Sequence, residues 1–232
     1  MDFLISDEQK QLQDLIHQFI QKDYPFDVRE KLVKTEEGFS KDFWKTFSQF
    51  GLLAMPFSEE DGGFNGGPVD IMIILEAFGT GLIVEPYIPN IVLSGNLVSK
   101  LGSKDQKDAI LPNLLNGDMQ LAFAFSEPQS RFDLNDVTTA AEKDGDGYKL
   151  NGYKCVVMNG PAADKLIVSA RTAGSQLDEN GISLFIVDRE TKGVSLRDYS
   201  NVDGSKASEL TLEDVVLTCL LYTSDAADDS TR

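Results

Sequence analysis

Histidine is almost absent from this 232-residue chain, where His17 stands alone. That excludes a multi-histidine metal centre. His17 also sits in an amphipathic stretch, which argues against Ser-His-Asp or Cys-His catalysis. Cysteine is scarce too. Cys155 and Cys219 lack metal-ligand spacing, so neither a zinc site nor a disulfide framework is expected. Basic residues are outnumbered, 21 Lys and Arg against 38 Asp and Glu, for a net charge of −17. Nucleic acid needs basic patches that displace counterions, and an anionic membrane needs a polybasic face; neither is expected as a partner. Anionic small ligands stay open, because a local site can oppose the global charge. No apolar run is long enough to span a bilayer, and the acidic opening Met1-Asp2-Phe3-Leu4-Ile5-Ser6-Asp7-Glu8 is unlike a signal peptide. A cytoplasmic or equivalent location is expected.

The first half reads as helical. Ser6 and Gln9 form a capping box, followed by Leu12, Leu15, Ile16, Phe19 and Ile20 at helical spacing. Ser40 is a second N-cap candidate before Phe43, Trp44, Phe47 and Phe50, with Gly51 as the stop. Pro68 opens a helix over 69–78, and another is expected over 88–101. Ser103 and Gln106 repeat the capping box for a helix over 104–115, in which Pro112 predicts a kink or an early end.

The pattern changes at Asn116-Gly117-Asp118. Strands are expected over 120–125, 137–142, 148–150, 154–158, 165–171, 182–187, 194–196 and 209–217. Lys143-Asp144-Gly145-Asp146-Gly147 reads as a hairpin turn, and Gly174-Ser175 and Glu179-Asn180-Gly181 as further turns. The fold class is α+β: an all-α domain over 1–117, then a small antiparallel β-barrel over 118–218. The stretch Cys219-Leu220-Leu221-Tyr222-Thr223-Ser224-Asp225-Ala226-Ala227-Asp228 resembles translated read-through of a sequencing adapter. Residues 219–232 are therefore set apart as a non-native tail.

Several ordered blocks carry a resemblance. They are Asp7-Glu8-Gln9-Lys10, Gly51-Leu52-Leu53-Ala54-Met55-Pro56-Phe57 with Asp61-Gly62-Gly63, and Glu76-Ala77-Phe78-Gly79. Then come Ala122-Phe123-Ala124-Phe125-Ser126-Glu127-Pro128, the run from Asp144 to Lys154, Ala163-Asp164, and Leu184-Phe185-Ile186-Val187-Asp188. In this order and spacing the chain resembles the acyl-CoA dehydrogenase family over residues 1–217. Tyr24-Pro25-Phe26 with Arg29, Glu85-Pro86-Tyr87 and Arg131-Phe132-Asp133-Leu134 are similar to the small subunit of pimeloyl-CoA dehydrogenases.

The resemblance implies α,β-dehydrogenation of an acyl-CoA thioester, pimeloyl-CoA or another dicarboxylyl-CoA among the candidates. FAD would be the cofactor, and an electron-transfer flavoprotein the electron acceptor. It also implies a C-terminal helical bundle, absent here, that supplies the catalytic base, and an oligomer, homomeric or with a homologous large subunit. Ser126 matches the family's flavin-bonding hydroxyl, and Phe123 and Phe125 match positions lining the flavin. Periodicity alone makes those two rings core aromatics of a buried strand. Val156 and Met158 stand with Val157 where the family usually has Trp-Ile-Thr against the flavin. Arg131 and Phe132 stand where it has Gly-Ser against the substrate, and Arg131 is a candidate for a distal carboxylate or a CoA phosphate. A surface Arg paired with a nearby acid is the plainer reading.

These departures keep two rivals in view: a non-catalytic partner subunit of a heteromer, and an acyl-CoA-binding protein without redox chemistry. Gly79-Thr80-Gly81 lacks the third glycine and the preceding strand of a dinucleotide fingerprint. The Gly62-Gly63 and Gly66-Gly67 loop lacks the Gly-Lys of a phosphate loop. Glu59, Glu60 and Asp61 read as a solvated acidic face.

Overall fold

The computed structural model describes residues 5–217 and 222–223. Helices α1 (Asp7–Asp23), α2 (Phe26–Leu32), α3 (Lys41–Gln49) and α4 (Pro68–Gly81) come first. A π-helix (Tyr87–Gly95), α5 (Asn96–Leu101) and α6 (Lys104–Leu115) follow. Both capping boxes form, and the Ser40 hydroxyl accepts from the Phe43 N–H. Gly51 ends α3 at φ +77°, a conformation that costs glycine nothing.

Three helical expectations change. The segment 88–101 is not one α-helix: its first half is wound as a π-helix through Pro89. Pro112 does not end α6 early: the helix continues to Leu115, with the Pro112 carbonyl accepting from the Asn116 N–H. Helix α2 was not foreseen, because Pro25 gives no side-chain cap and none of its residues is buried.

The second half is one curled sheet of eight strands. They are β1 (Leu121–Ala124), β2 (Ala140–Asp144), β3 (Gly147–Met158) and β4 (Lys165–Arg171). Then come β5 (Ile182–Asp188), β6 (Val194–Ser200), β7 (Lys206–Leu217) and β8 (Tyr222–Thr223). The order is β6-β7-β3-β2-β4-β5-β8, with β1 on β4. The sheet is not wholly antiparallel: β1 and β2 both run parallel to β4. Nor is it closed by ladders all round, since β6 and β8 are its ends. The circuit β1-β4-β2-β3 is instead completed by one backbone bond, from the Cys155 N–H to the Ser126 carbonyl at 2.9 Å. The tail set apart over 219–232 lies outside the described residues except for Tyr222–Thr223, whose backbone pairs with Phe185 and Leu184.

Strand β2 starts at Ala140, three residues after its expected start, for a physical reason. The Thr138 and Thr139 N–H groups donate to the Glu127 carboxylate, so the ladder begins only after them. The segments 148–150 and 154–158 form one strand. Gly152 permits this, since a Cβ there would stand 2.5 Å from the Thr139 Oγ1.

Both faces of the inner strands are buried. Leu121, Ile167 and Ile186 join the helical core of Phe19, Trp44, Phe47, Phe78 and Tyr87. Their neighbours Ala122, Leu166, Val168, Phe185 and Val187 fill the inside of the sheet with Leu150, Leu210 and Val215. Period-two alternation thus feeds two cores from the same strands. A buried polar knot joins the halves: Asn90 accepts from the Leu121 N–H and donates to Gln120, each at 2.8 Å. Asn159 donates to Gln120 and to the Leu121 carbonyl.

Candidate active site

The ends of β1 and β3 meet where the sheet circuit closes. Lys154 pairs with Leu210 and Val157 with Ser208, so Cys155 and Val156 together face the single residue Glu209 across β7. This is a β-bulge, and it turns Val156 into the left-handed region at φ 52°. A β-branched side chain is strained there by about 1–3 kcal/mol. The side chain is half exposed, as is that of Met158. Opposite the bulge the Ser126 hydroxyl lies 3.6 Å from the Cys155 Sγ. The rings of Phe123, on β1, and Phe125, just past its end, lie 4.9 Å apart between centroids at an interplanar angle of 31°.

Beneath this junction an ion pair is sealed inside the sheet. The Lys154 Nζ lies 2.7 Å from a Glu127 oxygen, and both side chains have no exposed area. Lys154 also donates to the Ser169 Oγ at 3.0 Å and the Phe125 carbonyl at 3.4 Å. Glu127 further accepts from the Gln129 amide, the Thr138 hydroxyl and two backbone N–H groups. Burial pushes the Glu127 carboxyl up, but the Lys154 ammonium and the threonine donors outweigh it and hold the acid below its ordinary value. Burial lowers Lys154. Such a pair stands only because its hydrogen-bonding capacity is filled on both sides.

Beside the bulge, between the halves, lies a cavity of about 420 Å³. Leu75, Phe78, Leu82 and Ile88 form its apolar helical wall, and Met158 and Asn159 its sheet wall. The Arg29 guanidinium bridges the two walls, donating to the Leu82 carbonyl at 2.9 Å and the Asp203 carbonyl at 2.6 Å. Arg29 and Lys206 line the cavity without an ion-pair partner among the described residues. Glu85 is the cavity's buried acid. Burial raises it to about 6, against bonds from its own backbone N–H, the Tyr24 hydroxyl and the Ser40 N–H. Burial, followed by the charge on Glu85, raises the Tyr24 hydroxyl in turn.

Ser126, Val156 and Met158 are thus brought to one junction, with Phe123 on β1 and Phe125 just beyond its end leading into it. Arg131 and Phe132 are not. They occupy an exposed turn, Arg131 at φ 49° and Phe132 at 97% exposure, and neither lines the cavity. Arg131 has no ion-pair partner among the described residues, so the pairing with a nearby acid is also unmet. Asp61 differs from a solvated acid: it accepts from the Ser99 hydroxyl and pairs with Lys107, pinning its loop to α5 and α6. Sequence reasoning missed Lys154 as a buried charge. A signal existed, because Lys154 shares strand parity with the buried Leu150.

Comparison with known proteins places this geometry. The acyl-CoA dehydrogenase N-terminal domain matches residues 6–118, and the acyl-CoA dehydrogenase middle domain matches residues 122–215. The chain belongs to the acyl-CoA dehydrogenase family. It is 34% identical over 221 residues to a mitochondrial 2-methylacyl-CoA dehydrogenase of Solanum tuberosum, covering 90% of this chain and 52% of that protein. It is 28% identical over 216 residues to the CarC subunit of the caffeyl-CoA reductase-Etf complex of Acetobacterium woodii, covering 90% of this chain and 56% of that one. Among solved structures, butyryl-CoA dehydrogenase of Megasphaera elsdenii superposes with a TM-score of 0.84 at 26% identity, over 98% of this chain and 61% of that one. The chain therefore spans about half to three-fifths of the length of these relatives. The family is one of FAD-dependent oxidoreductases.

Proposed function

We propose that this chain is the helical and sheet portion of an FAD-dependent acyl-CoA dehydrogenase that oxidises the Cα–Cβ bond of an acyl-CoA thioester. The observation that carries the reading is the junction itself. A hydroxyl (Ser126), a strained bulge (Cys155 and Val156) and exposed apolar side chains (Val156 and Met158) lie at neighbouring strand ends, and Met158 among them lines an apolar cavity between the halves. These residues fit a flat ring with one polar edge: the apolar flanks would lie along it and Ser126 would bond its edge. FAD bound there supplies the hydride acceptor. This chain's part is to orient the ring, exclude water with the Phe78, Leu82 and Ile88 wall, and hold the acyl chain beside Met158.

Glu85 does not serve as the base in this reading. Its Oε1 accepts from the Ser40 N–H and its carboxyl lies against Tyr24, so it ties α3 and the end of α1 to the cavity wall. The proton-abstracting carboxylate is assigned to the part of the enzyme beyond these two domains. An electron-transfer flavoprotein as acceptor and a homologous large subunit as partner belong to the same proposal. A dicarboxylyl-CoA such as pimeloyl-CoA is the finer substrate reading. With Arg131 outside the cavity, its distal carboxylate would fall to Arg29 and Lys206.

Anaerobic mixing of the full-length protein with acyl-CoA tests the reading. Bleaching of the flavin, with an enoyl-CoA product two hydrogens lighter, is expected. A protein that binds acyl-CoA without flavin would instead be the binding protein. Flavin that no acyl-CoA bleaches, in a subunit that activates a homologous partner, would favour the partner-subunit reading. The observation behind that second reading is Val156, Val157 and Met158 in place of Trp-Ile-Thr.

A further inference from the structure

We propose that the buried Lys154–Glu127 pair is a positioning element for the flavin, fixing the two strand ends against which the ring would lie. The inference rests on the functional reading above and adds to it the residues that hold the site in shape.

The covalent neighbours of the pair make the case. Glu127 directly follows Phe125 and Ser126, and Lys154 directly precedes Cys155 and Val156. Those four residues are the polar and apolar edge of the junction. Nothing else in the sheet ties β1 to β3 by a ladder: one backbone bond, Cys155 N–H to the Ser126 carbonyl, crosses between them. The ion pair crosses the same gap one residue deeper on both sides. Lys154 reaches further, to Ser169 on β4 and to the Phe125 carbonyl. Glu127 reaches Thr138 and Thr139 at the mouth of β2. Four chain segments, among them β1 and β3 that no ladder joins directly, are thus gathered on two charged groups.

The strain at Val156 gives the pair something to hold. A β-branched residue at φ 52° persists only where its surroundings over-determine it. On one side of Val156 lies Lys154, anchored at three acceptors; on the other, Val157 resumes pairing with Ser208. With Lys154 released, the bulge can relax toward a regular ladder, which would withdraw Val156 and Met158 from the junction. A buried pair retained at this point, where an apolar pair could fill the volume, is explained by the geometry it specifies.

The test uses the full-length protein stripped of flavin. The double variant Lys154→Met with Glu127→Gln leaves no unpaired buried charge and keeps an acceptor for the threonine N–H groups. Val187→Ala is the control, since Val187 lies in the sheet interior on β5 and pairs with Leu166, away from the junction. Thermal midpoint, FAD dissociation constant and flavin midpoint potential are measured for each. At comparable loss of thermal midpoint, the double variant is expected to bind FAD roughly tenfold more weakly with a shifted potential. The control should keep both values. Equal loss of FAD affinity in the two variants, or none in the double variant, would overturn the inference while leaving the functional reading intact. Should the double variant not fold, Ser169→Ala removes one Lys154 bond and keeps the pair. It is expected to shift the potential, and an unchanged potential there would overturn the inference. A wild-type protein that takes up no FAD would overturn the functional reading itself.

Discussion

At the middle of the helical half, Phe47 stacks on Phe78 at 4.9 Å and meets Phe19 and Trp44 edge-on. At the middle of the sheet half, Lys154 meets a carboxylate, a hydroxyl and a carbonyl, with no water-exposed area. The burial of apolar area in the helical half is non-directional, although the rings prefer stacked or edge-on contacts. A buried ion pair is directional and costs most when only one partner is removed. The helical half therefore offers an apolar wall held by ring packing. The sheet half holds a fixed point, and it lies next to the residues that carry the chemistry.

Two substitutions break the comparison most strongly. Lys154→Met strands the Glu127 charge and should cost about 3–5 kcal/mol at neutral pH. Acidification that protonates Glu127 should recover part of it. Phe47→Ala should cost a similar amount, about 3–5 kcal/mol, by leaving a cavity among rings. Its cost should not change with pH. Urea unfolding of both variants across pH separates the two behaviours. A Lys154→Met penalty that ignored pH would erase the contrast.

Glu85 sharpens it from the helical side. Its carboxyl is raised from 4.5 to about 6 by burial, so the folded protein holds this proton more tightly than the unfolded chain. The stability from that neutral acid is full below the unfolded value and is lost as pH rises through about 6. The loss is about 2 kcal/mol by the usual conversion. Glu85→Gln should flatten the stability profile across that window. A variant whose profile still fell there would place the titrating group elsewhere.

The smallest expected effect is a gain. Val156→Gly relieves the left-handed strain and gives back some chain entropy, for a net stabilisation of about 1 kcal/mol in urea unfolding. Destabilisation would mean that contacts of the Val156 side chain outweigh the strain.

Much of the fold was legible where a local rule decides it. The capping boxes at Ser6 and Ser103, the stop at Gly51 and the bounds of β4 depend on near neighbours in the chain. Periodicity does not say which strands are partners, so the parallel pairing of β1 and β2 with β4 was hidden. The late start of β2 was hidden too, because it depends on a carboxylate more than ten residues upstream. The candidate site divides the same way. Ser126, Val156 and Met158 were chosen on resemblance, and they converge through long-range closure of the sheet. Arg131 carried suitable chemistry, but it sits in a turn whose direction its own sequence does not reveal. Arg29 and Lys206 reach the cavity because α2 and the turn before β7 fold over it.

The most direct measurement is a structure of the full-length protein with FAD bound. The account predicts the ring between β1 and the β3 bulge, its polar edge within hydrogen-bond reach of the Ser126 hydroxyl and its flank against Val156 and Met158. A ring bound elsewhere, with Ser126 and Val156 free of it, would contradict the account.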